Sequence, residues 1–399
     1  MQCVILAAGE GKRMRPLTAH RPKVMLPLAN RPMLEHLIIA TREAGIREML
    51  LVVGYGEHAV REYFGDGAKW GVSIEYVVQR RQSGTAHALA RVQDLIHDRF
   101  LLLNGDMLLR HEDITALTSL DPPCLTVATT DHPEDYGVVT TDGSRVTGLL
   151  EKSPVPPANT INAGAYLLDT DIFPLLAELH PSPRGELELT DALASYISKG
   201  LLRAHPLRYW RDVGYPWDLL DANAELLQGL TSSCECVVED NVILHGPVAI
   251  GKGTVVKAGS YIEGPCTIGE DCRIGPHAYL RAATSIGDRC HVGHGSEVKN
   301  SVIFPDTNLP HFNYVGDSVI GSGCNLGAGA TIANLRHDRA AVKVGGKDTH
   351  RIKFGAILGD NVQLGINCSV NAGSVLGAGV QAAPGTYLDG IYGDGSVVK

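Results

Sequence analysis

Three things are missing from this chain, and each argues against a class of function. No apolar stretch approaches the roughly 18 residues that span a bilayer, which argues against a membrane-spanning helix. Basic charge is not in excess, since 35 Lys and Arg stand against 44 Asp and Glu for a net charge of −9. A nucleic-acid binder would instead show a basic stripe. A basic leader is also missing. Met1 to Ala8 is apolar but runs straight into Gly9-Glu10-Gly11-Lys12-Arg13, so it reads as a first strand. Cysteine is present at nine positions, yet zinc spacing is not, because Cys234 and Cys236 lie only two apart. Cys266, Cys272, Cys290, Cys324 and Cys368 share one slot of a repeat, where sulfur fills core space. The expected setting is therefore a reducing cytoplasm, with no membrane and no nucleic-acid partner. The 399 residues, 44% hydrophobic and 20% charged, suit two or three globular domains.

What is there is a ladder. Every sixth residue from Val238 to Val298 is a branched aliphatic: Val238, Leu244, Ile250, Val256, Ile262, Ile268, Ile274, Leu280, Ile286, Val292 and Val298. The residue four further on is small each time, from Val242 to Val302, and glycine often follows the aliphatic. Such a period marks a parallel β-helix, in which each coil buries its apolar side only against its neighbours. The period resumes at Ile320, Leu326 and Ile332 and again from Leu358 to Leu376. The gaps at 305–319 and 333–357 are expected to be loops thrown out of the coil, and so places to look for function.

The first half alternates differently. Cys3–Ala8, Glu48–Val53, Ser73–Val78 and Phe100–Leu103 are short buried-looking runs. Pro32–Ala44, Glu57–Tyr63 and Thr85–Val92 between them have helical spacing. Repeated β-α units imply a parallel sheet with helices on both faces, and ligands bind outside the carboxyl ends of its strands. Polar clusters follow those ends at Gly9 to Arg15, Gln79 to Thr85 and Asn104-Gly105-Asp106. Residues 121–170 read as an antiparallel insertion over that mouth. A helix near Pro216–Leu227 then leads into the ladder. The expected fold class is α/β, a Rossmann-like domain at 1–229 followed by a β-helix domain at 230–399.

The glycine turn alone is weak, since it lacks the third glycine of the dinucleotide fingerprint and the Gly-Lys-Ser/Thr of a P-loop. With Arg21-Pro22-Lys23 it gains meaning. The run Leu6-Ala7-Ala8-Gly9-Glu10-Gly11-Lys12-Arg13-Met14 followed by Pro22-Lys23 resembles the sugar-1-phosphate nucleotidyltransferases, whose hallmark is L-A-A-G-x-G-x-R-M and then P-K. The resemblance covers residues 1 to about 228. It implies a GT-A-like fold, with Ala8, Gly9, Gly11 and Arg13 around the triphosphate and Lys23 neutralising charge at the α-phosphate. It further implies that Gln79 reads a pyrimidine edge, with Gly84 and Thr85 packed against the nucleoside. Asp106 and Asp212 would share one Mg2+, and Gly137, Glu151, Lys152 and Asn162 would hold the sugar phosphate. Thr190 and Asp191 read instead as the cap of the helix they precede.

The first gap of the ladder carries a second motif. His311-Phe312-Asn313-Tyr314-Val315-Gly316-Asp317 resembles the H-x-x-Y-x-G-D loop of the bacterial bifunctional glucosamine-1-phosphate acetyltransferase/N-acetylglucosamine-1-phosphate uridyltransferases. That resemblance implies a left-handed β-helix, assembly as a homotrimer or a dimer of trimers, and acetyl-CoA as co-substrate. His311 would be the base, because imidazole, with an unperturbed pKa of about 6.5, suits removal of a proton from an amine. Tyr314, Asn325 and Asn334 would orient the acceptor, and Arg281 and Lys299 its phosphate. The second gap holds Arg336, Arg339, Lys343, Lys347, Arg351 and Lys353 against two aspartates. It reads either as a grip on coenzyme A or sugar phosphate, or as a solvated basic loop. The combined expectation is a bifunctional enzyme. Its β-helix N-acetylates glucosamine or galactosamine 1-phosphate, and its first domain couples N-acetylglucosamine or glucose 1-phosphate to UTP or dTTP. The competing expectation is a monofunctional glucose-1-phosphate thymidylyltransferase with a structural tail.

Overall fold

The computed structural model describes residues 1–182 and 185–399. It contains two compact units. One comprises Met1–Glu10, Arg21–Met25 and Met33–Asp212, the other Gly11–His20, Leu26–Pro32 and Val213–Lys399.

In the first unit the strands Gln2–Ala7, Glu48–Val53, Ser73–Val78 and Phe100–Asn104 pair in parallel. Glu48–Val53 and Phe100–Asn104 are near-continuous apolar runs because helices cover both faces of such a sheet, whereas the edge strand Ser73–Val78 alternates, with Ser73 and Glu75 exposed. Alternate side chains divide between two cores. Ile5, Leu51 and Leu103 face Leu34, Leu37 and Ile38 of the helix Met33–Glu43, while Val4, Leu50 and Leu102 face Ala88 and Leu89 of the helix Thr85–Ala90. Beyond Phe100–Asn104 the sheet continues through Thr160–Leu168, Cys124–Thr129, Arg203–Pro206, Arg145–Glu151 and Gly137–Asp142, to nine strands in all. The antiparallel insertion thus extends the same sheet. Ala7 pairs with Val53, Val53 with Val78, and Leu6 with Asn104, so four strand ends share one edge. Backbones crowd there. A Cβ on Gly54 would stand 2.9 Å from the Ala8 carbonyl oxygen, and one on Gly105 2.8 Å from that of Leu6.

The second unit contains a left-handed parallel β-helix whose coils form three sheets of nine, nine and eight strands. Rungs stack in register, Val256 on Ile274 and Val292, Ile262 on Leu280 and Val298. The side chains of these rungs are wholly buried. Val238 and Leu244 belong to the ladder but stay exposed, because the first coil has a neighbour on one side only.

The gap at 305–319 is not a loop. Ile303, Leu309, Val315 and Ile320 continue the buried ladder, with two steps of five residues in place of six. Val298 accordingly pairs with Val315, 17 residues on, where earlier coils repeat every 18. His311 and Tyr314 therefore sit on rigid strands, Asn308–His311 and Tyr314–Gly316. The second gap is a true excursion, since Val319 pairs next with Ile357. It carries its own ribbon, Lys343–Val344 against Lys347–Asp348.

The repeating small slot does more than fill space. Thr254 Oγ1 donates to the Gly269 carbonyl at 2.7 Å, and Thr307 Oγ1 to that of Gly321 at 2.8 Å. The thiols of Cys272, Cys290, Cys324 and Cys368 donate in the same way at 3.0–3.2 Å. Seven cysteines are buried free thiols, and burial lifts the Cys266 pKa to about 12. Cys234 and Cys236, too close for the usual zinc spacing, are joined by a disulfide, so this pair departs from the reduced state expected of the cysteines. No helix among the described residues is long and apolar enough to cross a membrane.

The helix Asp218–Leu227 is pinned to the coils by Asn223, which is fully buried. Its Oδ1 accepts from the Ala29 N–H at 2.9 Å and the Ser285 hydroxyl at 2.6 Å, and its Nδ2 donates to the Ala283 carbonyl at 3.0 Å. Asn223→Ala leaves these three groups without that partner. A loss of about 2–4 kcal/mol is expected from the cost of buried unsatisfied groups, read as a lower denaturant midpoint. Ala224→Ser, at the next and only half-buried position of the same helix, should leave the midpoint in place.

Candidate functional site

At the sheet mouth a short turn, Lys23–Met25, points one ammonium between two acids. Lys23 Nζ lies 2.7 Å from Asp106 Oδ2 and 3.9 Å from Asp212 Oδ1. Asp212 reaches this place because Trp210–Asp212 pairs antiparallel with Met107–Leu109, setting Asp212 opposite Met107. That ribbon is held from outside. The buried Asp113 carboxylate accepts from the Arg208 and Tyr209 N–H groups at 2.9 and 3.1 Å, and Trp210 Nε1 donates to the Ala163 carbonyl at 2.8 Å. Tyr136, to which the sequence assigns no role, donates its hydroxyl to Asp212 Oδ2 at 3.1 Å. Among the described residues no three His, Cys, Asp or Glu gather to bind a metal. A cation held by Asp106 and Asp212 would draw its other ligands from phosphate and water. Two carboxylates with room for such ligands fit a hard ion such as Mg2+.

The remaining nucleotide-motif residues divide. The buried Gln79 amide donates to the Gly84 carbonyl at 3.1 Å and meets His87 Nδ1 at 2.9 Å. Gly84 has φ of 104°, and a Cβ there would stand 2.3 Å from the Leu187 carbonyl oxygen. Thr85 Oγ1 accepts from the Leu189 N–H at 3.0 Å. It therefore satisfies the start of the helix Leu189–Ser198, the task expected of Thr190 and Asp191, which lie inside that helix. The Ala8 carbonyl accepts from the Gln82 amide at 2.8 Å. Gly9 has open space where a Cβ would go, so packing does not demand glycine there. Gly11, left-handed at φ 72°, and Arg13, whose guanidinium lies 5.0 Å from the Tyr215 ring centre, belong to the second unit.

Three of the four sugar-site candidates, Gly137, Glu151 and Asn162, lie on neighbouring strands. Gly137 pairs with Glu151, and a Cβ on it would meet Glu151 Oε1 at 3.1 Å. Ile161 bridges to Val138, which brings Asn162 alongside. Asn162 Nδ2 donates to the Tyr166 hydroxyl at 2.7 Å. Lys152 follows in a left-handed turn, its N–H donating to the Tyr136 carbonyl at 3.1 Å.

On the β-helix a second cluster forms along one of the three sheets. Arg281 Nη1 pairs with Glu297 at 3.0 Å, and Lys299 Nζ with Asp317 at 3.2 Å. Asp317, nearly buried, also accepts from Asn300 Nδ2 at 2.7 Å and from Asn334 Nδ2, which in turn lies 3.2 Å from the Tyr314 hydroxyl. Burial, with Glu297 and Asp317 nearby, pushes the Tyr314 phenol up, so it stays neutral. Both proposed phosphate cations thus carry acid partners. The sequence assigns no role to Glu297 or Asp317, although Asp317 is the last letter of the motif. Asn325 lies on a different face, between Asn308 and Gln363. His311 is exposed and pairs with His294 along that same face. Its ring makes no hydrogen bond among the described residues, while its N–H donates to Asn313 Oδ1 at 3.2 Å. Nearby His291 is pushed down by burial and by Arg273, His311 and Lys257.

Comparison with known proteins agrees along the whole chain. The nucleotidyl transferase family model matches residues 2–229, and a GMPPB C-terminal domain model matches 262–377. The bifunctional protein GlmU of Methanococcus maripaludis is 46% identical, covering 95% of this chain and 92% of its own length. A bifunctional sugar-1-phosphate nucleotidylyltransferase/acetyltransferase of Sulfurisphaera tokodaii is 37% identical over 100% of both chains. This chain belongs to the bifunctional sugar-1-phosphate nucleotidylyltransferase/acetyltransferases. A crystal structure from Bacillus anthracis, assigned as a glucose-1-phosphate thymidylyltransferase, is 29% identical with a TM-score of 0.54. It covers 59% of this chain and 98% of its own. The likeness to that structure thus takes in little more than half of this chain, whereas the likeness to the Sulfurisphaera tokodaii nucleotidylyltransferase/acetyltransferase takes in all of it.

Lys23→Ala leaves Asp106 and Asp212 facing each other without their shared ammonium. Nucleotidyl transfer should fall by about 100-fold or more, the usual size of losing one charge-stabilising group, measured as pyrophosphate release. Asp317→Asn should raise the KM for the acetyl acceptor, read from initial rates of coenzyme A release.

Proposed function

We propose that residues 230–399 transfer the acetyl group of acetyl-CoA to the amine of glucosamine 1-phosphate or galactosamine 1-phosphate. Residues 1–229 then couple N-acetylglucosamine 1-phosphate or glucose 1-phosphate to UTP or dTTP. What carries this reading is that one chain holds two separate charged clusters, Lys23–Asp106–Asp212 and Lys299–Asp317–Asn334. Neither shares a residue with the other.

In nucleotidyl transfer a sugar phosphate oxygen attacks the α-phosphorus, a new P–O bond forms, and the bond to the β-phosphate breaks to release pyrophosphate. The protein's part is alignment and charge neutralisation. Lys23 and Arg13 offset phosphate charge, Tyr136 holds Asp212 in place, and Glu151, Lys152 and Asn162 receive the sugar phosphate. Mg2+ held by Asp106 and Asp212 would supply further neutralisation when bound. In acetyl transfer His311 takes the proton that the amine loses as it attacks the thioester carbonyl. The C–N bond forms, the C–S bond breaks, and the proton passes to the departing thiolate. Tyr314 and Asn334 orient the acceptor, and Arg281 and Lys299 face its phosphate. Homotrimeric assembly and a cytoplasmic setting belong to the same reading.

The test is a pair of variants assayed for both reactions. His311→Ala should stop coenzyme A release and spare pyrophosphate release, and Asp106→Ala should do the opposite. Loss of both reactions from either well-folded variant would contradict independent sites.

A further inference from the structure

By its sequence the basic gap at 333–357 suits a phosphate grip or a solvated loop equally well. Its contacts inside the second unit point elsewhere. Lys347 Nζ lies 4.1 Å from the centre of the Tyr215 ring and donates to its hydroxyl. The Arg13 guanidinium lies 5.0 Å from the centre of the same ring. One aromatic ring thus holds two cations, one from the β-helix excursion and one from the segment Gly11–His20. Each is attracted by the ring's quadrupole, so the ring sets where both cations stand.

This ring is not loose. Tyr215 stacks on Trp217, centroids 4.8 Å apart and planes within 1°. Trp217 meets the edge of Phe354, which is fully buried at the foot of the excursion. A second tie, Arg351 to Asp221, clamps the returning limb to the helix Asp218–Leu227. The segment Gly11–His20 is fastened to the coils at its other end as well. His20 Nδ1 lies 3.1 Å from Asp360, whose carboxylate is nearly buried and also accepts from the Ser322 N–H at 2.9 Å.

We propose that the β-helix excursion is a working part of nucleotidyl transfer, in which Lys347, acting through Tyr215, positions Arg13 for the triphosphate. Lys347 and Tyr215 are then positioning residues, and the acetyltransferase half of the chain shapes a phosphate-binding element of the other reaction. This rests on the nucleotidyl-transfer reading.

The test uses the full-length chain with UTP and dTTP and compares wild type, Lys347→Ala, Lys347→Arg, Tyr215→Leu and Tyr215→Leu/Lys347→Ala. Lys347→Ala should raise the KM for the triphosphate about tenfold, or about 1.4 kcal/mol, with kcat and thermal midpoint little changed. Lys347→Arg should restore KM to within about twofold of wild type, since a guanidinium also sits well over an aromatic face. Tyr215→Leu and the double variant should be equally impaired, because without the ring Lys347 has no route to Arg13. An active wild type with unaltered kinetics in Lys347→Ala would overturn the coupling alone. So would a loss that tracks a lowered thermal midpoint and is not rescued by arginine. A wild-type chain inert toward both triphosphates would overturn the parent reading, and the coupling with it.

Discussion

A solenoid coil has no core of its own. Each rung is buried only by the rung before and the rung after it, so the coils must stay in register over their whole length. Every outward side chain is then fixed in height and direction by the aliphatic beside it. This constraint is what allows Glu297 and Tyr314 to fall opposite one another, with Lys299 opposite Gly316. It also explains the shortened coil. Replacing a six-residue step by a five-residue step shifts the outward residues without breaking the buried ladder, so His311 and Tyr314 gain a special placement while remaining on rigid strands. A site built in this way needs no mobile loop to hold it.

The sheet unit meets a different constraint. Its parallel strands end together, and the glycines there let backbones approach to a distance that a Cβ would forbid. The charge arrangement follows from that crowding. Asp106 sits immediately after a strand end, and Asp212 is brought opposite by a short ribbon, so two carboxylates come close with little chain between them and the sheet. Lys23 resolves their mutual repulsion. A nearly buried ammonium between two acids is costly to strand but stable when both partners are present.

Much of this is legible in the residues. Glu48–Val53 and Ser73–Val78 have in the structure the bounds that their sequence implies, the first as an apolar run closed by Gly54, the second as a β-branched and aromatic run that starts after Gly71 and ends at the polar Gln79-Arg80-Arg81. The ladder is legible because its period is strict. The five-residue steps are not, since a period search reads a change of step as an interruption, and only the buried Ile303, Leu309 and Val315 show that it continues. Thr85 capping a helix more than a hundred residues away is likewise invisible to local cap rules, which look to Thr190 and Asp191. The same limit applies to Tyr215 and Lys347, 132 residues apart. Asp317 is a different case. The motif contains it, but a lone acid next to a glycine reads as a turn residue until its three partners are seen.

The idea that one chain carries both transfers in sequence is tested most directly in a single vessel. Full-length protein would be mixed with glucosamine 1-phosphate or galactosamine 1-phosphate, isotopically labelled acetyl-CoA, UTP or dTTP, and Mg2+, and the products weighed by mass spectrometry. Expected is a nucleotide sugar that carries the acetyl label. Nucleotide sugar that forms without the label, while labelled acetyl-CoA remains intact, would contradict it.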